Sequence, residues 1–544
     1  MTPAAAAGRT AYEVSVAQLA WLGAGGLFVA LRVAGLVSIP VGGPELDHLS
    51  GAWQAHAGNT DDRFVPTLFQ AVAAWLFSLG DSEVLPRLAV VAAQATVPLA
   101  LYRLRPSLGG EAGALIALVL LALDPVSILL GSTAWAGGWD VPLVLWLLVL
   151  LDRARPLRWL LAAAGLAMAT AGPLVLPFLI GPAAVRLWKQ QYPPLETVAW
   201  AGGGVLLGWA LAATSFGFGL QDPLLPPLAT FAEGFEAGWA GASTGYLALL
   251  YSSPLMASAA AAAGFRAYVC WRDQDWPERT TARLTAFALS LAWVLVAAGS
   301  NDPVPLAAVG LAGALVLGPE LPAVLGLWQR VNWRYAAPAL AGLFVAALVA
   351  EAYVVDWARV DRPGRDREQL IVTGLVIAAL ACAGLLASNR GTVAALLVPV
   401  AFAATVVVLS GATGVAFGGP TEPLPSPVST VQGREVRDIA VAARDELGGP
   451  IVIHADFQDI ATWPFRGSGT VVFASRVPAD AAVVVWPVAA PAPDGYAVVD
   501  GNWSFREHRH APDGGFLDYL RWLTDRNSLQ NTIDPVAVYL RTAP

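Results

Sequence analysis

The 544-residue sequence is poor in charge, in lysine and in cysteine. Charged residues make up only 13% of the chain, and Lys189 is the single lysine among 32 basic residues. The two cysteines, Cys270 and Cys382, provide neither a disulfide framework nor a cysteine metal site. Because basic residues stand at the ends of apolar runs and form no single patch, the sequence also lacks a nucleic-acid-binding signature.

Long apolar segments dominate the chain. Hydrophobic residues account for 56% of it and the mean hydropathy is +0.58. Several runs approach or exceed roughly 18 residues, the length that crosses a hydrocarbon core of ~30 Å as a helix. They predict a polytopic α-helical membrane protein. The first run, near residues 16–39, is too long for the apolar part of a signal peptide, so we expect it to remain as a span.

Hydropathy predicts about thirteen spans. They lie near residues 16–39, 84–102, 111–131, 139–152, 157–170, 173–187, 197–216, 244–265, 282–299, 304–327, 335–355, 369–387 and 392–412. The apolar segment 66–79 is too short to span and is predicted to be an interfacial helix. Most loop arginines fall on the side of the N-terminus, which is therefore predicted to be cytoplasmic, in the cytoplasmic (inner) membrane. The odd number of spans puts the C-terminal tail outside.

Composition divides the chain into a transmembrane module at 1–415, a Pro-rich linker at 416–429 and an extracytoplasmic domain at 430–544. External loops are predicted at 41–83 and 217–243. The tail is predicted to be a small α/β domain, large enough to bury its own core. Its predicted helices cover 434–447, 457–463 and 516–524, and its predicted strands cover 451–454, 471–474, 482–486, 496–499 and 536–540.

A polar loop follows the first span, within residues 42–62. If Pro44 starts a helix there, Glu45 and His48 share one face and Asp47 points away from it. A carboxylate at this place can act as general base on an acceptor hydroxyl, and Asp47 with His48 is the candidate set for a divalent cation. The alternative is an interfacial helix whose acids face water.

Several stretches, in order along the chain, resemble the motifs of one family. They are ALRVAGL at Ala30–Leu36, FVPTLFQAVAAWLFSLGDSEVLPRL at Phe64–Leu88, LDPVSILLGSTAWAGGWDVP at Leu123–Pro142, TAGP at Thr170–Pro173 and, in the tail, TWPF at Thr462–Phe465. Together they are similar to C-type (GT-C) membrane glycosyltransferases of the protein-mannosyltransferase-like branch, which take sugars from polyprenyl-phosphate or pyrophosphate carriers. The resemblance implies a GT-C fold carrying the C-terminal domain.

The resemblance implies a catalytic carboxylate in the first external loop, where the family has Asp-Glu. An ungapped alignment from Arg32 places Pro44 and Glu45 on that pair. A shift by three residues places Asp47 and His48 there instead. The base is therefore expected at Asp47 or Glu45, with Asp47 favoured because the family's catalytic carboxylate is usually an aspartate, and His48 is expected at the substrate.

The resemblance also matches Asp140 to the aspartate that closes the family's second external turn, so Asp140 is expected to face the substrate. The alternative is that Asp140 caps a helix beginning at Val141. Three basic residues of the family are missing from this sequence: Trp135, Gly138 and Ala171 stand at the positions where they are expected.

The negative charge of a carrier phosphate has to be stabilised by a metal cation or by an arginine side chain. Arg87, at the start of the second span, is the leading candidate, and Arg63 and the cluster at 359–367 are further ones. The alternative for Arg87 is an ion pair with Glu83, four residues earlier, or contact with lipid headgroups. Arg32 lies inside a span and is expected to pair with an acid or line a cavity.

These observations predict a membrane glycosyltransferase that moves a sugar from a polyprenyl-phosphate carrier, within the lipid bilayer, to an acceptor protein, lipid or glycan on the outer face. The competing hypothesis is a degenerate relative that serves as an accessory subunit, because the acidic pair is broken and cations are missing. A transporter is disfavoured, since Arg32 is almost alone as an ionisable residue at mid-membrane depth. A divalent cation is the one cofactor considered.

Overall fold

The structure is a computed structural model of the chain. It describes residues 15–39, 41–42, 44–58, 68–151, 195–213, 253–296, 304–328, 428–430, 432–499, 502–509 and 531–542, with short helical pieces between residues 161 and 181 and between residues 412 and 416. Several predicted elements lie wholly or mostly outside these ranges: the spans at 157–170, 173–187, 335–355, 369–387 and 392–412, the loop at 217–243, the linker and the helix at 516–524.

The first 328 residues contribute helices to the described part of the chain. They are α1 Val16–Ser38, α2 Pro44–Ala57, α3 Leu68–Phe77, α4 Val84–Gln94, α5 Val97–Leu104, α6 Glu111–Leu123, α7 Pro125–Ser132, α8 Ala136–Leu151, α9 Leu195–Ala213, α10 Ser253–Arg272, α11 Glu278–Val296 and α12 Val304–Trp328. A 3-10 turn, Arg105–Ser107, extends α5. Within the described residues, the predicted spans and the interfacial helix correspond to these helices.

Two segments of the described chain, Val16–Leu36 and Val84–Ser107, are long and apolar enough to cross a membrane. The first of them, on α1, turns large apolar side chains outwards at Val16, Leu19, Leu22, Leu27 and Val33. Outward apolar side chains along a helix match a hydrocarbon environment, because lipid does not penalise them.

The predicted span at 111–131 is broken. Its two halves, α6 and α7, meet at an angle of 70°. Pro125 supplies no backbone N–H, and the Asp124 carboxylate accepts from the Ser127 N–H at 2.8 Å, so Asp124 caps α7. The predicted span is therefore a bent pair of helices that is apolar enough to count as one span.

Helices α6 and α12 cross at close range. Gly113 and Gly318 face each other there: a Cβ on Gly318 would lie 2.6 Å from the carbonyl oxygen of Gly113. Glycine at this crossing lets the two backbones approach each other, as small residues do between membrane helices.

The C-terminal part forms a mixed sheet with helices α13 Gln432–Leu447 and α14 Gln458–Ala461. Its strands are β1 Val428–Ser429, β2 Ile451–His454, β3 Val471–Ala474, β4 Val483–Pro487, β5 Tyr496–Val498, β6 Trp503–Arg509 and β7 Asn531–Arg541, in the order β1-β6-β7-β4-β2-β3 with β5 on β7. Strands β3, β2 and β4 are parallel, with β3 at the edge of the sheet, and β7 runs antiparallel to β4.

The buried strands of this sheet agree with the prediction, whereas β6 and the first half of β7 were missed. The missed segments, WSFREHR and NTID, are polar, and their charges pair across the strands. Arg506 Nε lies 2.8 Å from the Asp534 carboxylate on the neighbouring strand. Charged side chains that pair across two strands interrupt the alternation of apolar and polar residues that predicts a strand. The pattern therefore did not predict strands in these segments.

The sheet domain packs on the loop that follows the first span, residues 41–83. One buried apolar cluster includes residues of α2 and α3 together with residues of α13, α14 and the turn after α14: Leu46, Leu49, Ala52, Phe69 and Phe77 on one side, and Val436, Ala440, Phe457, Trp463 and Phe465 on the other. The loop helices and the sheet domain therefore share one core.

We predict that Gly318→Ala destabilises the protein by about 1–3 kcal/mol, because its methyl group overlaps the Gly113 carbonyl and forces α6 and α12 apart. The matched control is Gly202→Ala on α9, whose Cβ would meet nothing within 4 Å. Thermal unfolding in detergent measures both. Equal melting temperatures for the two variants would contradict the tight crossing.

Candidate active site

Helix α2 carries two acidic residues of the first loop. It begins at Pro44, as predicted, and Glu45 and Asp47 occupy its first turn. Acids are favoured there because the first turn has unpaired N–H groups and the positive end of the helix dipole. Glu45 is buried, His48 is half-buried and Asp47 is exposed, so the predicted division of these side chains between two faces is confirmed.

Glu45 and Arg87 form a buried ion pair. The Arg87 Nε and Nη2 groups each donate to a different Glu45 carboxylate oxygen at 2.7 Å. The side chains are 1% and 3% exposed. A third donor, the Ala134 backbone N–H, lies 2.6 Å from Glu45 Oε1. The pair therefore joins α2 to α4 and to the segment between α7 and α8.

Arg87 also anchors the end of α1. Its Nη1 donates to the carbonyl oxygens of Leu36 and Ile39 at 3.0 and 2.8 Å. Glu83, the partner considered from sequence, instead forms an ion pair with Arg434 of α13. Arg87 thus makes four hydrogen bonds within the protein, and binding a phosphate would require breaking some of them.

Asp47 and His48 lie on different sides of α2. Asp47 is exposed, whereas the His48 ring packs edge-on against Phe69 with ring centroids 6.1 Å apart. Burial lowers the pKa of His48 to about 4, so the imidazole is neutral at physiological pH. Since the two side chains diverge, they do not form a cation site by themselves. In the described ranges no three His, Cys, Asp or Glu side chains cluster as metal ligands.

An apolar cleft of about 340 Å³ lies between α3, α4 and α8. Its lining is Leu68, Phe69, Ala93, Thr96, Trp139, Asp140, Pro142, Leu143 and Trp146. Such a volume falls in the ~300–1,000 Å³ range of small-molecule sites. The cleft lies beside the apolar segment Val84–Ser107, so its apolar wall suits a hydrocarbon chain.

Asp140 is the buried acid of this cleft. It lies inside α8, which begins at Ala136, so the alternative of an N-cap before Val141 is wrong. The neighbouring Trp139, which the sequence analysis overlooked, also lines the cleft, and its buried Nε1 has no hydrogen-bond partner among the described residues. The clustering of Trp135, Trp139 and Asp140 beside a turn was the available signal.

Arg32 is fully buried between α1, α6 and α7. Its guanidinium lies 3.3 Å from the centroid of the Phe28 ring and donates to Ser127 Oγ at 2.7 Å. The Ser127 backbone N–H in turn donates to the Asp124 carboxylate. Arg32 and Asp124 thus both bind Ser127, but among the described residues no acid lies within ion-pair distance of Arg32. The network holds the bend between α6 and α7. Arg63, the remaining predicted substrate contact, lies outside the described residues.

Apolar spans, a bent helix pair, an acidic helix after the first span and a C-terminal sheet together make up a polytopic membrane fold. The structure is similar to that of ArnT from Cupriavidus metallidurans bound to undecaprenyl phosphate, with a TM-score of 0.52 and 12% identity over 96% of this chain and 98% of that chain. At this identity the similarity shows the fold, and the fold implied by the sequence motifs is confirmed.

The apo oligosaccharyltransferase of Archaeoglobus fulgidus also matches, with a TM-score of 0.44 and 11% identity over 88% of this chain and 70% of that chain. No protein-family model and no curated protein matches the sequence.

We predict that Glu45→Gln and Arg87→Met each destabilise the protein by about 3–5 kcal/mol, because each leaves a buried partner charge uncompensated. The double variant should lose less than the sum of the two. A double-mutant cycle on thermal unfolding in detergent measures the coupling. The control is Arg272→Met, which removes an exposed pair with Asp273 and should leave the melting temperature unchanged. Strict additivity would contradict the buried pair.

We predict that His48 contributes a pH-dependent loss of stability. Its folded-state pKa, about 4, is below the unfolded value of 6.5, so the unfolded chain takes up the proton first as pH falls. His48 therefore leaves stability unaffected above pH 6.5 and progressively reduces it between pH 6.5 and 4. The melting temperature of the wild type relative to His48→Gln should fall across that window. A constant difference would show that His48 titrates normally.

Proposed function

We propose that this protein is a membrane glycosyltransferase that moves a sugar from a polyprenyl-phosphate carrier to an acceptor on the outer face of the cytoplasmic membrane. The observation that carries the proposal is the fixed acidic helix α2. Its buried Glu45 is anchored by Arg87, and the carboxylate of Asp47 is exposed in the same turn. The GT-C fold supports this reading, since the similar ArnT structure of Cupriavidus metallidurans holds undecaprenyl phosphate.

Asp47 is the proposed catalytic base. The Asp47 carboxylate is exposed at the surface of α2, where an acceptor can approach it, whereas the Glu45 carboxylate is buried against Arg87. In the proposed step the acceptor hydroxyl transfers its proton to Asp47 as its oxygen bonds to the anomeric carbon. The bond between that carbon and the carrier phosphate oxygen breaks, and the phosphate leaves with the electron pair. Glu45 then acts by holding the helix that presents Asp47.

The cleft between α3, α4 and α8 is the proposed binding site for the apolar chain of the lipid carrier. Its walls are almost entirely apolar, and it lies beside an apolar segment long enough to span the membrane. The carboxylate of Asp140 and the indole of Trp139 also line this cleft. We assign Asp140 and His48 to contacts with sugar or acceptor hydroxyls, because a neutral imidazole and a carboxylate both accept hydrogen bonds.

The leaving phosphate requires positive charge. In the described chain Arg87 is committed to Glu45, so we assign the phosphate to Arg63 and the cluster at 359–367, which lie outside the described residues. A divalent cation is a further candidate. Because Asp47 and His48 diverge, we derive no step through a cation at that pair.

The number of spans and their orientation in the membrane are proposed as well. We place about thirteen spans in the cytoplasmic membrane, with a cytoplasmic N-terminus and the domain at 430–544 outside, on the positive-inside distribution of arginines. The donor carrier, the acceptor class and the domain limits at 415 and 430 belong to the same proposal.

A second candidate function is that of an accessory subunit with the GT-C fold and no transfer activity. The observation that favours it is the mutual neutralisation of Glu45 and Arg87. In the ungapped alignment Glu45 takes the family's glutamate position, so Pro44 stands in place of the catalytic aspartate. In that alignment the catalytic base would have to be Asp47, three residues after Pro44 along α2.

We predict that Asp47→Asn lowers sugar transfer by about 10²–10⁴-fold, because the amide cannot accept the proton, whereas Asp47→Glu keeps part of the rate. The measurement is transfer from a panel of radiolabelled polyprenyl-phosphate hexoses and pentoses to membrane acceptors. The control is Asp273→Asn, an exposed acid that pairs with Arg272 on α10.

Full activity of Asp47→Asn would overturn Asp47 as the base. Absence of transfer by the wild type from every carrier would favour the accessory function.

A further inference from the structure

The sheet domain holds the first external loop through a small set of contacts, which we call the loop clamp: Trp53 of α2, Phe77 of α3 and Glu83 before α4 on the loop side, and Arg434 of α13, Trp463 and Arg466 after α14 on the sheet side. None of these residues belongs to the proposed catalytic set. They connect the chain across more than 350 residues of sequence.

Three aromatic rings form the apolar half of the clamp. Phe77 contacts Trp53 edge-on with ring centroids 5.4 Å apart, and it contacts Trp463 at 5.7 Å. Phe77 and Trp463 are both buried. Ring pairs of this kind add about 0.5–1.5 kcal/mol beyond the area that they bury, so the ring row fastens α2 and α3 to the sheet domain.

Arg466 forms the charged half. Its guanidinium lies 3.6 Å from the centroid of the Trp463 ring and 5.8 Å from that of Trp53. It donates to the Trp463 carbonyl at 2.8 Å and to the carbonyl of Asp81, and it lies 3.9 Å from the Glu83 carboxylate. One side chain therefore contacts the end of α2 and the turn between α3 and α4.

Two of the three charged side chains of the clamp are shielded from water, whereas Arg434 is exposed. The side chains of Arg466 and Glu83 are 10% and 12% exposed. Burial lowers the pKa of Arg466 to about 10, so it keeps its charge at neutral pH. Shielded pairs interact more strongly than surface pairs, which contribute ~0–1 kcal/mol, and losing one partner leaves the other charge uncompensated.

Besides the apolar contacts of Leu46, Leu49 and Ala52, helix α2 is held near each of its ends. Near its first residues the Glu45–Arg87 pair holds it to the spans, and near its end Trp53 is held by the sheet domain. A helix fixed at one end can still tilt and roll about that point. A second contact about two turns further on prevents both motions, and Asp47 lies between the two contacts.

We propose that Arg466 is a positioning residue of the transferase: through Trp53 and the Asp81–Glu83 turn it fixes the orientation of α2, and with it the Asp47 carboxylate. The inference rests on the proposed function. Misplacement of a reacting group by ~1 Å can cost ~10²-fold in rate, so loosening the clamp acts on the chemical step more than on donor binding.

The kinetic test compares Arg466→Ala, Arg466→Lys and the control Arg541→Ala, all in the full-length protein in lipid nanodiscs. We expect Arg466→Ala to lower kcat about 10–100-fold with the donor KM changed less than about twofold. Arg466→Lys should recover part of the rate, since it keeps the charge. In the described part of the chain the Arg541 side chain donates to carbonyls of its own domain, so its removal should leave kcat unchanged.

The second measurement is independent of activity. Hydrogen–deuterium exchange of residues 44–57 should rise in Arg466→Ala and stay at the wild-type level in Arg541→Ala. If Arg466→Ala does not yield folded protein, Glu83→Gln tests the same contact from the loop side.

Unchanged exchange with unchanged kcat would overturn the positioning role, as would a loss confined to KM. An inactive wild type whose α2 exchange still rises in Arg466→Ala would instead overturn the proposed function and support the clamp as a fastening of α2.

Discussion

The buried ion pair between Glu45 and Arg87 is the interaction on which the candidate site depends. Two charges removed from water are stable only when their hydrogen-bonding groups are satisfied, and here the Ala134 N–H and two α1 carbonyls complete the set. The pair ties a polar helix to the start of a membrane-spanning segment. The Glu45 carboxylate and the Arg87 guanidinium are both buried in this pair, whereas the Asp47 carboxylate in the same turn is exposed.

The sheet domain is integrated with the membrane module through the first loop. Apolar residues of α2 and α3 and of the sheet domain form one cluster, and Glu83 pairs across the contact with Arg434 and Arg466. The acidic helix is therefore held from both sides, by the spans and by the sheet. A group that must meet a substrate at a membrane surface gains from such fixation, because catalysis requires a preset geometry.

Local signals predicted much of this architecture. The apolar runs predicted the helices at 16–38 and 304–328, and Pro44 followed by acids predicted the start of α2. The Val-rich runs predicted β2 and β4. The misses have one cause in common: Asp124 interrupts an apolar run, and Arg506 and Asp534 interrupt strands, and each is satisfied by a partner that the local pattern does not reveal.

The sequence by itself determined the types of the elements, the GT-C resemblance and the presence of acids in the first loop, because these depend on residues close together in the chain. Only the tertiary structure decided which acid is buried. Arg87 had Glu83 four residues away as an expected partner, yet it pairs with Glu45, 42 residues away. Packing of α1, α2 and α4 brings these groups together, and a buried charge pairs with the partner that shares its desolvated site.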